Sequence, residues 1–329
     1  MLSAAQHDRS AAVLLGLACG DALGAGYEFA GPLPANTPVS MRGGGGFHWA
    51  PGEWTDYTAM AVPIAIAASK DRDLAADAVL DDIVAEWVGW ARSAPYAGIQ
   101  LGAVLSGTEP TAAGSRRMAR EQHNRTGRSA GNGSLLRTAP VALACLDDPA
   151  ALAGTARLIS ELTHVEEDAG DACVLFGLAL RHAVLEGEAD LRIGLDLLPA
   201  ARRDVWAARL AEAARKLPAD FPRNGWVVQT LQAVWSAISR TEEDAGQLRR
   251  GVEAAVRGGG DTDAVAGAAG ALLAARWGLA AVPESWRRLV QGWPGLRGPD
   301  LVSLAVLSSH GGRYGEDTEP VPFRLHVVR

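Results

Sequence analysis

Apolar and polar positions follow the period of the α-helix almost from one end of the chain to the other. Leu80, Ile83, Val84, Trp87, Val88 and Ala91 recur at the i, i+3, i+4, i+7, i+8 spacing of one buried helix face, with Asp81, Asp82, Glu86 and Arg92 elsewhere around it. The same reading predicts helices over 150 to 163, 166 to 186, 203 to 216, 226 to 239, 242 to 256 and 262 to 277, several bounded by Pro or Gly. Two segments, Ser10 to Leu23 and Asp263 to Trp277, are apolar nearly all round, as central helices covered by others are. Strand-like alternation is almost absent; Val321 to Val328 is the one short candidate. The expected class is all-α, a compact orthogonal multi-helix bundle. With no internal repeat or linker, residues 1–329 are expected to form a single domain with a loop-like tail from about residue 311.

Three Gly-dense loops separate these elements: Gly43 to Gly46, Ser129 to Gly133 and Gly258 to Gly260. Glycine permits positive φ and close backbone approach to a ligand, so three such loops beside acidic residues call for one explanation, although each alone reads as a turn. Ser106 to Arg128 is polar, Arg-rich and aperiodic, and is expected to be a long surface loop; Gly311 to Glu319 is expected to be another.

Composition narrows the function. A chain that is 48% hydrophobic and 21% charged can bury a large core. A net charge of −7 without a Lys/Arg block argues against nucleic acid. Cys19, Cys145 and Cys173 lie in apolar segments without CxxC spacing, as small core residues of a reducing compartment do. The start of the chain lacks a signal-peptide layout and no long apolar span follows, so a cytoplasmic, non-membrane protein is expected.

The chemistry concentrates in two places, "GEWTDYTAMA" and "GGGDTDAVAGAAG", where loops enter strongly apolar helices. Asp56, Asp261 and Asp263 stand at these entries. Thr55 and Asp261 are good N-cap residues, and capping is the plain reading of either place taken alone. Asp-Thr-Asp within three residues nevertheless offers more acceptor oxygens than a cap uses, and neither segment carries a nearby Lys or Arg. A hard divalent cation answers that charge density, and oxygen-only ligands favour Mg²⁺, Mn²⁺ or Ca²⁺ over zinc.

"GLACGDALGAGYEF", "GEWTDYTAMA", "SAGNGSLLRTAPVAL", "THVEEDAGDACVLFGLAL", "GGGDTDAVAGAAGALLAARWG" and "VPESWRRLVQGW", in this order from about Ala11 to Leu307, resemble the ADP-ribosylglycohydrolase family, which includes the dinitrogenase-reductase-activating glycohydrolases. The resemblance implies a compact all-α fold and a two-metal Mg²⁺ or Mn²⁺ centre. It implies hydrolysis of the glycosidic bond between ADP-ribose, or a related ribosyl group, and a protein side chain or small acceptor. By matching position it implies Thr55, Asp56, Asp261 and Asp263 as metal ligands, and Glu28, Asp56 and Asp261 as catalytic carboxylates. Gly131, Asn132, Gly133 and Ser134 would cradle the ADP-ribose phosphates, with His164 near the ligand and Asp21 supporting the site through hydrogen bonds.

Two positions depart from the family pattern. Tyr57 stands where the family has an Asp, and Ala264 where it has Thr or Ser. A phenol of pKa about 10 stays neutral near pH 7 and is a poor ligand for Mg²⁺. The expectation is weakened metal occupancy, with the Tyr57 ring stacking on the substrate or blocking its cleft. The alternative to an active hydrolase is a degenerate member that binds ADP-ribose or nucleotide without efficient turnover.

Overall fold

The computed structural model describes residues 2–311. The two segments that are apolar all round become the helices Ala4–Ala25 and Thr262–Trp277, and these pack against each other antiparallel along their length at the centre of the molecule. Glycines make the approach so close. A Cβ built on Gly20 would lie 2.0 Å from the Ala266 carbonyl oxygen, and one on Gly16 would lie 2.4 Å from that of Gly270. With backbones in direct contact the register is fixed, which sets the C-terminal end of the first helix, with Asp21, beside the N-terminal end of the second, with Asp261 and Asp263. Thr262 Oγ1 closes this end by donating to Gly24 O at 2.9 Å. The first helix begins earlier than its apolar run because Ser3 and Gln6 form a capping box.

The remaining described α-helices wrap this pair: Asp56–Ala68, Asp77–Ala91, Ile99–Leu105, Ala112–Thr126, Ala139–Ala144, Pro149–Glu161, Glu167–Glu186, Ala200–Ala213, Val227–Ser239, Gln247–Arg257, Glu284–Leu289 and Gly298–Ser309. The protein is all-α, as the periodicity predicts. In Asp77–Ala91 the buried side is Val79, Leu80, Ile83, Val84, Trp87, Val88 and Trp90, close to the predicted face. Sheet among the described residues is limited to a two-residue antiparallel pair, Gln291–Gly292 with Leu296–Arg297. Its first strand fixes the entry to the site: Trp54 N donates to Gln291 O at 3.0 Å and Gln291 N to Gly52 O at 2.9 Å.

One expectation fails. The segment read as a surface loop, Ser106 to Arg128, contains the helix Ala112–Thr126, capped by Thr111, whose Oγ1 accepts from Gly114 N, and closed by Gly127 at φ 65°. Its buried positions are Ala112, Gly114, Ser115 and Ala119, all small, so burial left no apolar stripe to read. Its three alanines and four arginines supply helix propensity instead. The candidate strand at Val321 to Val328 and nearly all of the expected tail lie outside the described residues. Among the described residues no helix is long and apolar enough to cross a membrane, and the cysteines are free, Cys19 and Cys173 buried and Cys145 half-buried.

Candidate active site

The site forms where the central helix pair meets the start of Asp56–Ala68. Asp21, reaching from the first helix, takes four donors: Thr55 N at 3.0 Å and Thr55 Oγ1 at 2.8 Å on Oδ1, Thr58 N at 2.9 Å and Thr58 Oγ1 at 2.5 Å on Oδ2. It therefore satisfies free N–H groups at the start of the neighbouring helix. Thr55 occupies the N-cap position but its side chain makes no cap bond, and the same is true of Asp261. Capping does not account for either side chain. Asp21 is held off the reacting groups by these bonds; burial raises its pKa to about 6, against the opposing pull of the four donors.

Glu28 arrives through a turn after the first helix. Phe29 N donates to Gly260 O at 2.7 Å and Gly260 N to Ala30 O at 2.8 Å, which joins this turn to the residue preceding Asp261. Gly260 has φ 74°, and a Cβ there would lie 2.3 Å from Asn224 Oδ1, so the bond from Asp261 N to Asn224 Oδ1 at 2.8 Å depends on glycine. The result is a group of three carboxylates, Glu28, Asp261 and Asp263, with one oxygen of each within 4.8 Å of the others. Asp263 Oδ2 is buried and no N–H or hydroxyl donor reaches it; the Asp261 carboxyl is close enough to share a proton with the Asp263 carboxyl. Asp56, also buried, does not join that tight group but acts on it electrostatically.

Every one of these acids is pushed toward its protonated form. Burial is the main cause at Glu28, raised to about 9, followed by the charges of Asp261, Asp56 and Asp21. Burial again leads at Asp56, raised to about 8, with Asp21 and Asp261 adding repulsion. Asp261 and Asp263 are raised in the same direction by burial, Asp263 further by Glu28 and Asp261. Among the described residues no Lys or Arg forms an ion pair with any of them. Carboxylates gathered this closely need a proton or a cation between them. Glu28, Asp261 and the Asp263 oxygen that no N–H or hydroxyl donor reaches are the donor set that suits a hard divalent ion. Thr55 spends its proton on Asp21, which leaves hydroxyl lone pairs for a ligand role.

Tyr57 lies inside this arrangement. Its ring is buried and its hydroxyl stands 2.9 Å from Asn132 Oδ1, 3.1 Å from Asp261 Oδ1 and 3.3 Å from Asp261 Oδ2. The phenol hydroxyl is directed at Asn132 and the Asp261 carboxylate. Burial, with the surrounding carboxylates, raises its pKa well above the ordinary value, so the phenol keeps its proton. Asn132 completes the link by donating to Asp261 Oδ2 at 3.0 Å and to Asn224 O at 3.0 Å. Ala264 is fully buried on the first turn of its helix.

The Ser129 to Gly133 loop is built around residues that periodicity did not single out. Gln100 donates to Ser129 O and Thr163 O, each at 3.1 Å, and accepts from Gly131 N at 3.2 Å. Asn224 donates to Gly259 O at 2.8 Å and so ties this loop to the Gly258 to Gly260 loop. A single amide side chain leaves no pattern in a sequence, and only its partners reveal it. His164 packs beside the loop, its Nε2 3.6 Å from where a Cβ on Gly131 or Gly133 would lie. Ser134 faces the other way: its hydroxyl is buried against Ser160 Oγ at 2.8 Å, and it is not the cap of the short helical turn that follows. Phe47 and Tyr96, stacked with centroids 4.0 Å apart, and Phe29 stand at the rim beside Glu28.

A sequence model of the ADP-ribosylglycohydrolase family matches residues 2–315. The chain is 31% identical over 292 residues to an ADP-ribosyl-[dinitrogen reductase] glycohydrolase of Rhodospirillum rubrum, covering 85% of this chain and 89% of that protein. It is 30% identical to the ADP-ribosylarginine hydrolase Tri1 of Pseudomonas putida (strain GB-1), covering 85% and 73% respectively. Among solved structures, an ADP-ribosylglycohydrolase-related protein complex superposes with a TM-score of 0.70 at 28% identity, over 94% of this chain and 99% of that one.

Proposed function

The chain belongs to the ADP-ribosylglycohydrolase family, and on that premise we propose that it hydrolyses the glycosidic bond joining ADP-ribose to a protein side chain, with help from a divalent cation, Mg²⁺ or Mn²⁺. The observation that carries this reading is the Glu28, Asp261 and Asp263 group with its buried oxygen that no N–H or hydroxyl donor reaches, set beside the Gly131 to Gly133 loop. Glu28, Asp261 and Asp263 would hold the cation, which when bound supplies Lewis-acid polarisation and orientation of the ribose and water oxygens. Asp56 keeps a proton near neutral pH and can give it to the departing side-chain atom as the glycosidic bond breaks. Glu28, the half-buried member of the group, has access to solvent and, where a bound cation would hold it ionised, can take the proton of the attacking water as the water oxygen bonds the anomeric carbon. Of the loop amides, that of Gly133 suits the diphosphate, since Gly131 N donates to Gln100 and Asn132 N to Gly225 O. The activities of the relatives favour an ADP-ribosylated protein as substrate, arginine-linked in one case; a small ADP-ribosyl compound is the other acceptor class.

Binding without turnover is the second reading, and one observation favours it: the Tyr57 phenol bonds Asp261 where the family has a further carboxylate. Release of ADP-ribose from an arginine-modified protein separates the two. Release by the wild type with Mn²⁺, abolished by EDTA, is the expected result. Release by Tyr57→Asp alone, with ADP-ribose bound by both, would establish the second reading, and no release by either together with no binding would end both.

A further inference from the structure

Behind the glycine loop lies an arginine with no carboxylate partner among the described residues. Arg137 is fully buried, its guanidinium 4.3 Å from the centre of the Trp87 ring, and its Nε and Nη1 bond nothing. Nη2 donates to Ile159 O at 2.7 Å, to Ser160 O at 3.4 Å and to Thr163 Oγ1 at 2.8 Å. Burying a guanidinium without a counter-charge is costly, so this position calls for a reason beyond packing. Thr163 supplies one. Arginine only donates, so it occupies one lone pair of Thr163 Oγ1, and among the described residues His164 Nδ1, at 2.7 Å, is the one acceptor within reach of the buried hydroxyl proton, which would be costly to leave unbonded. A ring nitrogen that accepts carries no proton. In a neutral imidazole the proton then resides on Nε2, the atom that faces Gly131 and Gly133. Burial, and after it the charge of Arg137, hold His164 in the neutral form.

We propose that Arg137, Thr163 and His164 form a directed chain of donors that locks His164 in its Nε2–H tautomer and presents that N–H to an anionic oxygen lying over the Gly131 to Gly133 loop. Arg137 and Thr163 are positioning residues in this scheme; His164 makes the contact. The proposal rests on the hydrolase reading only for the ligand's identity, the diphosphate of ADP-ribose. It also explains why the positive charge is buried: a guanidinium at the back of the loop and carboxylates at its Asn132 side polarise the cleft along its length.

The test is histidine tautomer assignment by long-range ¹H–¹⁵N correlation on the ¹⁵N-labelled full chain, alongside ADP-ribose titration by calorimetry. Wild type and Thr163→Ser are expected to show His164 as Nε2–H alone. Thr163→Val is expected to lose that preference and to bind ADP-ribose about tenfold more weakly, the effect of one misdirected hydrogen bond, with Mn²⁺ affinity unchanged. An Nδ1–H tautomer or an imidazolium in the wild type overturns the proposal, as does a Thr163→Val protein matching Thr163→Ser in both tautomer and affinity. If Thr163→Val does not fold, the wild-type and Thr163→Ser tautomers decide. Should the wild type bind no ADP-ribose, the hydrolase reading falls, while the tautomer still decides on the chain of donors.

Discussion

Asp263 Oδ2 is a buried carboxyl oxygen that no N–H or hydroxyl donor reaches, an arrangement that destabilises the folded chain unless a shared proton or a cation supplies the missing partner. Asp263→Asn removes the group's need for a proton or a cation and leaves an amide able to donate to Glu28 or Asp261. In EDTA this variant is expected to melt several degrees above the wild type, the response to about 1 kcal/mol or more of relieved desolvation. The rise in melting temperature that Mn²⁺ gives the wild type should be absent. A variant that melts lower in EDTA, or keeps its Mn²⁺ response, would show that this oxygen is not waiting for a cation. Tyr57 is the counterpart: its phenol gives Asp261 a neutral partner, so Tyr57→Asp is expected to lower stability in EDTA and to raise Mn²⁺ affinity at least tenfold, both readable by calorimetry and thermal melts.

At the scale of elements, the site depends on two helices that touch backbone to backbone. Alanine is the better helix former by about 1 kcal/mol. Yet a Cβ on Gly20 would lie 2.0 Å from the Ala266 carbonyl oxygen, a clash with main chain that no rotamer relieves. Gly20→Ala is therefore expected to destabilise by about 3 kcal/mol or more and, by shifting one helix along the other, to weaken Mn²⁺ binding although it touches no ligand. Unchanged melting and metal affinity in this variant would mean that the seam is more forgiving than its geometry. The other interhelical device is Asp21, which satisfies the start of Asp56–Ala68 from outside it. In that way the Asp56 carboxyl is positioned by a residue far away in the chain.

For the whole molecule, the gathered acids govern how stability changes with pH. In the unfolded chain Asp and Glu ionise near pH 4. Folded and without a cation, Glu28 holds its proton to about 9, Asp56 to about 8 and Asp21 to about 6. The native state therefore binds more protons than the unfolded one across that window, and this contribution, complete below about pH 4, is lost as pH rises through the folded values. Against the effect of burial, hydrogen bonds from Arg209 and Arg202 hold Asp168 low, and it acts in the opposite sense only in more acid solution; His164, held neutral by burial, opposes below about pH 6.5 but is outnumbered there by the raised carboxyls. Melting in EDTA should fall between about pH 5 and 8, and saturating Mn²⁺ should flatten the fall because the ion replaces the protons. Stability that rises over this range in EDTA would contradict the account.

The sequence by itself determined the helical class, through the 3.6-residue period, and the two central helices, through segments apolar on every side. It also singled out Asp56, Asp261 and Asp263, because Asp-Thr-Asp offers more acceptor oxygens than a helix cap uses and neither segment carries a nearby Lys or Arg. Those are local properties, carried by neighbours in the chain. It did not reveal the Ala112–Thr126 helix, whose buried face is made of small residues, nor that Thr55 and Asp261 leave their caps unmade. Gln100, Asn224 and the tie between Arg137, Thr163 and His164 were equally silent. Only the tertiary structure decided what Tyr57 bonds, which acid oxygen no N–H or hydroxyl donor reaches and what surrounds the buried Arg137. Each of those depends on atoms from segments many residues apart being brought within about 3 Å, the reach of a hydrogen bond, and no pattern along the chain encodes that distance.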